Sequence, residues 1–316
     1  MKNCSTYYQK LMLGIFLALM LFMPKRAVCQ QDPVFNQYMN NLLTIQPAYA
    51  GLTGYVNVTA LSRIQWLGFD GAPTTNTLTI QGPLQRYNVG LGLSIINDKF
   101  GPVRQNGAYF DYAYRILLNN DQYISFGIKG GFNIYEALLS QLTTHDPNDP
   151  VSLYDINKKF LPNFGAGFMW HSDKFFLGFS APKFFKNGLN SASGASVYHE
   201  EVNYYAMGGI VLPLADNVKL KPTFLYRRSE LTPQIIDLTA NLLFYDRIWV
   251  GASYRINNSY GLLFQVFLSP EIKIGYAYDL TTFRPTQVNA GTHEFMLSYD
   301  FQMSRRRYCR FTPRYF

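Results

Sequence analysis

The stretch "EIKIGYAYDL", residues 271–280, alternates with a period of two. Ile272, Ile274, Tyr276, Tyr278 and Leu280 fall on one face of an extended chain, and Lys273, Gly275, Ala277 and Asp279 fall on the other. Alternation held over this length is the mark of a strand with two unlike faces. Three further stretches repeat it. Phe295, Leu297, Tyr299 and Phe301 oppose Glu294, Met296, Ser298, Asp300 and Gln302; Ile248, Val250, Ala252, Tyr254 and Ile256 oppose Arg247, Trp249, Gly251, Ser253 and Arg255. Phe110, Tyr112, Tyr114 and Ile116 oppose Tyr109, Asp111, Ala113 and Arg115. The apolar face is rich in aromatics, while the other mixes charges with glycine and alanine. A barrel wall that meets lipid outside and a polar lumen inside carries these two faces. A soluble β-sandwich is the alternative, but it would turn Lys, Glu and Thr outward and gather its aromatics into one core.

Working outward, the chain holds fourteen such segments, at 54–67, 73–83, 87–98, 103–118, 121–134, 162–171, 173–182, 201–213, 217–228, 233–244, 247–257, 259–268, 270–281 and 291–302. Most have the ~9–11 residues that a tilted strand needs to cross a bilayer. The even-numbered connections are all short, such as "NNDQ", "LADN" and "YDR", and every long one is odd-numbered. Short turns at one end and long loops at the other define an up-and-down transmembrane barrel of about fourteen antiparallel strands, turns facing the periplasm. Closure follows because an open sheet in lipid would leave backbone groups unpaired. Pro222 breaks the pattern inside one segment, which predicts a bulge or a displaced boundary there.

The N-terminus reads differently. Lys2 and Lys10, an apolar run from Leu11 to Met23, and small residues around Ala27–Cys29 form a secretory leader over 1–29. The run falls short of the ~20 residues of a membrane-spanning helix. Val28 stands where acylated cleavage sites carry Gly, Ala or Ser, against a lipid on Cys29. Without the leader only Cys309 is left of three cysteines, so no intrachain disulfide is available. The formal charge of +8 falls to +4 once Lys2, Lys10, Lys25 and Arg26 are removed, too mild for a nucleic-acid binder. The predicted organisation is a leader (1–29), a periplasmic plug-like segment (30–53), a barrel (54–303) and a basic periplasmic tail (304–316) beginning "RRRYCR" after Ser304.

In that second segment, "DPVFNQYMNNLLTIQPAYAG" (32–51), Phe35, Tyr38, Met39 and Leu42 fall at helical spacing, which predicts a short amphipathic helix. Pro47 disfavours helix at Gln46. Asp32, Pro33, Phe35, Gln37, Tyr38, Met39, Pro47, Ala48, Tyr49, Ala50 and Gly51 resemble the N-terminal signature of the PorP/SprF family, with Asn36 and Gln46 where the family tends to have Ser and Asn. "GTHEFMLSYDF" and the closing "PRYF" extend the resemblance over nearly the whole mature chain. It implies an outer-membrane barrel of type IX secretion and gliding that supports export or surface attachment of large adhesin-type cargo. It further implies association with the periplasmic lipoprotein and ring components of that system. Asp32, Pro33, Phe35, Gln37, Tyr38, Pro47, Tyr49 and Gly51 are then the expected partner-binding residues, with Asn, Gln and Tyr also suited to filling a polar barrel mouth.

Catalytic chemistry finds little support. The four histidines, His145, His171, His199 and His293, have no Ser or Cys at a telling spacing, and neither G-x-S-x-G nor H-E-x-x-H occurs. No cofactor is implied. Asp146, Asn148, Asp149 and Asp155 are oxygen ligands of a kind calcium accepts, but the Gly and Glu positions of a calcium loop are missing. Asp111, Arg115, Lys273, Asp279, Glu294 and Asp300 point inward with both signs, which predicts internal salt bridges that stiffen or close the lumen rather than a selective ion path. The alternative function is a solute porin or fatty-acid-type transporter with an N-terminal hatch.

Overall fold

The computed structural model describes residues 34–84, 87–119, 121–141, 155–190, 196–230, 232–282 and 290–301. The leader, Asp32, Pro33, the loop residues His145, Asp146, Asn148 and Asp149, and the tail with Cys309 lie outside the described residues. Alternating segments form strands: β1 (Val56–Ile64), β2 (Thr74–Leu84), β3 (Val89–Phe100), β4 (Val103–Asn119), β5 (Gln122–Ala137), β6 (Ile156–Ser172), β7 (Phe175–Ala181), β8 (Gly188–Asn190) and β9 (Ser196–His199). They continue as β10 (Tyr204–Ile210), β11 (Leu212–Ala215), β12 (Val218–Arg228), β13 (Ile235–Phe244), β14 (Ile248–Arg255), β15 (Ser259–Phe267), β16 (Ile272–Thr281) and β17 (Thr292–Phe301).

Every barrel pairing is antiparallel, and the ring closes twice over. β1 pairs with β17 from Val56↔Phe301 to Ile64↔His293, and β10 bonds both β7 and β12. Fifteen strands share the sheet, but β10 and β11 lie end to end against β12, so the described residues form a closed barrel of fourteen staves. β8 and β9 form a separate small hairpin in what the sequence shows only as a loop. The Val56↔Phe301 pair puts the first stave's start and the last stave's end at the short-turn end.

The predicted faces hold. Leu297 is 53% exposed and Leu262 65%, while their neighbours Ser298 and Leu263 are buried against the interior. Replacing Leu297 by Arg should therefore cost about 2–4 kcal/mol in lipid vesicles, and Leu118→Arg at a strand end about 0–1. Equal urea stabilities of the two variants would contradict a lipid-facing wall.

Three local expectations are corrected. The sixth stave begins at Ile156 rather than 162. Lys158 and Lys159 hide its periodicity, because only Ile156 and Leu161 there pack inward, onto Tyr135, Ala137, Leu139 and Tyr198. Pro222 sits in regular register opposite Ala240, with no bulge in β12. The irregularity lies on its neighbour instead: β10 ends at Ile210 and β11 restarts at Leu212, so the pairing stops beside the residue without an N–H. The predicted amphipathic helix is three short 3-10 turns, Tyr38–Asn40, Leu42–Thr44 and Pro47–Tyr49. Asn41, at φ −144° and ψ 58°, interrupts the spiral between the first two. A continuous helix would leave its polar side unmatched, whereas here Asn36, Gln37, Asn41 and Gln46 are all buried too.

Candidate functional site

The chain from Val34 to Thr53 lies inside the ring of staves. Leu42 and Leu43 are fully buried, each contributing roughly 1.5–3 kcal/mol of apolar burial. With Tyr38, Met39, Tyr49 and Leu52 they form one core with inward residues of the wall, among them Met169, Phe176, Met207, Leu225 and Leu263. The barrel's largest hydrophobic core is thus built between the wall and its own N-terminal segment.

Polar contacts fix this segment around the circumference. The Glu294 carboxylate on β17 accepts the backbone N–H groups of Asn36 (2.8 Å) and Gln37 (3.1 Å) and pairs with Arg63 of β1. Arg255 of β14 donates to the Asn36 side chain at 2.8 Å and binds Asp237 of β13 at 2.9 Å. Tyr38 donates its hydroxyl to Thr223 at 3.0 Å. On the other half of the ring, Lys129 donates to the Leu43 carbonyl at 3.0 Å while paired with Asp111 at 2.9 Å. Gln46 donates to the carbonyls of Phe168 and Phe179 on β6 and β7, Ser180 to that of Ile45, and Arg115 to that of Gly51. A buried charge unmatched by hydrogen bonds is costly, so these cations and carboxylates are stable only while their partners stay in place.

Two glycines make the fit possible. Gly51 takes φ +71°, and a Cβ there would come within 2.6 Å of the Gly90 Cα. A Cβ on Gly127 would run into the backbone of Pro47 and Ala48. Backbone therefore touches backbone between segment and wall.

Of the expected partner-binding residues, Phe35, Gln37, Tyr38, Pro47, Tyr49 and Gly51 are gathered here and buried. The inward charges of both signs do form salt bridges, including Lys273–Asp300 at 3.3 Å and Arg63–Asp279 at 3.6 Å. Sequence reading did not single out Arg63, Lys129 or Asp237, and noted Gln46 only as the residue before Pro47 and a departure from the family signature. The clue to Gln46 and Lys129 was inward glycine in otherwise bulky strands, at Gly127, Gly167 and Gly178, which marks where another part of the chain approaches; the strands of Arg63 and Asp237 contain no glycine and carry no such mark.

The described histidines are placed in ordinary surroundings. His171 is buried at the end of β6, 3.1 Å from the Ser125 hydroxyl and stacked on Tyr123 at 5.5 Å. His293 contacts the Tyr276 hydroxyl at 2.8 Å. Among the described residues no three His, Cys, Asp or Glu side chains stand together as a metal site.

A closed barrel with an aromatic outer face and a polar, occupied lumen is an outer-membrane β-barrel protein. The chain belongs to the family described as type IX secretion system membrane protein PorP/SprF, whose profile matches residues 27–299. It is thus an outer-membrane barrel of type IX secretion. No curated protein matches. Among solved structures, the CymD monoaromatic hydrocarbon channel is 10% identical, with 87% of this chain and 95% of that chain covered and a TM-score of 0.48. The NanC porin is 8% identical, covering 78% and 100%, with a TM-score of 0.43. The P. putida toluene transporter TodX is 8% identical, covering 78% and 88%, with a TM-score of 0.41.

Proposed function

We propose that this barrel supports export or surface attachment of large adhesin-type cargo, working with periplasmic lipoprotein and ring components of the type IX system. Family membership over most of the chain carries the reading. The lumen supports it, because a channel interior held by Glu294, Arg255, Lys129 and Gln46 suits a scaffold better than a steady solute path. The motif residues Phe35, Gln37, Tyr38, Pro47, Tyr49 and Gly51 act in this proposal by holding the segment and the turn-end surface in shape. Direct contact with a partner would require the segment to leave the lumen. Asp32 and Pro33, just before it in the chain, remain proposed contact residues.

A clean deletion tests this. The outer membrane should stay intact as a permeability barrier, while surface proteomics should show particular adhesins stripped from the cell. Normal adhesin display combined with impaired uptake of a solute would establish the transporter reading instead.

A further inference from the structure

The outer wall changes character at the long-loop end, and it does so on one side. On β4 the outward residues from Leu118 to Ala108 are apolar or aromatic, with Phe110 51% exposed. A tilted strand climbs about 2.6 Å per residue, so this run covers roughly 26 Å, matching the ~25 Å apolar band of an outer-membrane barrel. The next two outward positions, Asn106 and Arg104, stand roughly 5 and 10 Å above that band. Headgroups add ~5–8 Å to each side of the hydrocarbon, within reach of a flexible arginine at the cell-surface leaflet.

Register sets neighbours beside these two. Asn76 on β2 faces Asn97 on β3, which faces Asn106 on β4, and Asn97 donates to the Asn106 side chain at 2.6 Å. One step higher, Lys99 stands directly opposite Arg104. All five side chains are exposed. Below the amides, Leu78 and Ile95 are paired and exposed in the same columns, inside the apolar band.

Like charges directly opposite each other on adjacent strands are destabilising. Among the described residues, no ion pair or hydrogen bond engages either Lys99 or Arg104. Glu136 on β5, across from Arg104, is the acid in that row, so one carboxylate stands against two cations. A rim that merely meets water would be polar all round. On the opposite side of the barrel, the outward residues at the loop ends of β14, β15 and β16 are Tyr254, Tyr260 and Leu280.

We propose that the loop-end face of β2–β4 binds a phosphate-bearing glycolipid of the outer leaflet. Its phosphate bridges Lys99 and the Arg104 guanidinium, whose fork matches phosphate oxygens. Its sugar hydroxyls and acyl carbonyls meet the three asparagine amides, which both donate and accept. Its acyl chains lie on Leu78, Ile95 and Phe110. Continuity with the lipid-facing wall argues for a lipid: the cations stand directly over the amide row, and the amides over apolar columns. The site is independent of the export reading and uses a different face of the wall.

The test uses the mature chain, purified in neutral detergent and titrated with monophosphoryl lipid A, with bound lipid counted by native mass spectrometry. The lipid should bind, added salt should weaken it, and its dephosphorylated form should bind about tenfold or more weakly. Lys99→Gln with Arg104→Gln should lower affinity about tenfold or more, since each cation near an anionic headgroup contributes. Lys174→Gln with Arg247→Gln removes the same charge at the turn end and should leave binding unchanged. The gel shift on heating checks that each barrel is folded; if the double variant is not, Arg104→Gln alone replaces it. Absence of binding to the folded wild type, or equal binding by the loop-end variant, overturns the proposal. An equal loss in the turn-end variant assigns binding to overall charge and also overturns it. So does displacement by inorganic phosphate at matched concentration, which would mark a free-anion site, or equally tight binding of phosphatidylglycerol, which would mark any anionic lipid.

Discussion

Deleting residues 32–48 is expected to convert a closed barrel into a steady pore, with single-channel conductance in planar bilayers rising about tenfold or more, toward that of a water-filled barrel of this size. The deleted stretch supplies Leu42, Leu43, Tyr38 and Met39 to the central core, and no other described segment crosses the lumen there. The wall should survive the loss. Its staves are bonded to each other by continuous backbone ladders, as in the β4–β5 register from Val103↔Ala137 to Leu117↔Tyr123. The inward groups that lose partners, among them Lys129, Glu294 and Arg255, would meet water entering the lumen, which can solvate them where a dry core could not. An unchanged conductance from a folded deletion variant would mean that the loops or remaining side chains, and not this segment, close the barrel.

How much of this was legible in the sequence depends on where periodicity was set by lipid. In β14, β16 and β17 the outward residues meet hydrocarbon and the inward ones a polar lumen, so Val250, Leu297 and their neighbours declare the fold outright. In β6 the first residues, including Lys158 and Lys159, lie where the outer face is free to be polar, and the alternation fades. The N-terminal segment was harder. Its apolar residues match helical spacing, but it is surrounded on all sides, so no single buried face exists for a period to report. Its polar residues therefore carry as much of the fit as the apolar ones: Asn36, Gln37 and Gln46 each meet a specific wall group. The family motif located the segment; only the three-dimensional arrangement shows that its residues face inward. The wall side of that contact was partly visible, since Gly127 and Gly90 interrupt bulky strands where the segment passes.

Glu294 gives the largest expected single-residue effect in the lumen. Its carboxylate meets three donors from two parts of the fold: the Arg63 guanidinium of the wall and the backbone N–H groups of Asn36 and Gln37. Glu294→Ala leaves all three facing a dry interior. Removing one partner of a buried ion pair costs ~3–5 kcal/mol. The expected loss is about 3 kcal/mol, at the low end of that range, because Asp279 still faces Arg63 at 3.6 Å. Glu294→Gln keeps one carbonyl acceptor and should lose less, about 1–2 kcal/mol. The decisive comparison is with the chain lacking residues 32–48. There the lumen is wet and the two backbone donors are gone, so the same Glu294→Ala change should cost no more than about 1 kcal/mol, the worth of an exposed ion pair. Urea unfolding of all four proteins in lipid vesicles measures the difference, and a coupling well above the ~0.5 kcal/mol scatter of independent sites is expected. If Glu294→Ala costs the same in both backgrounds, its carboxylate braces only the wall, and the N-terminal segment is held by its apolar fit alone.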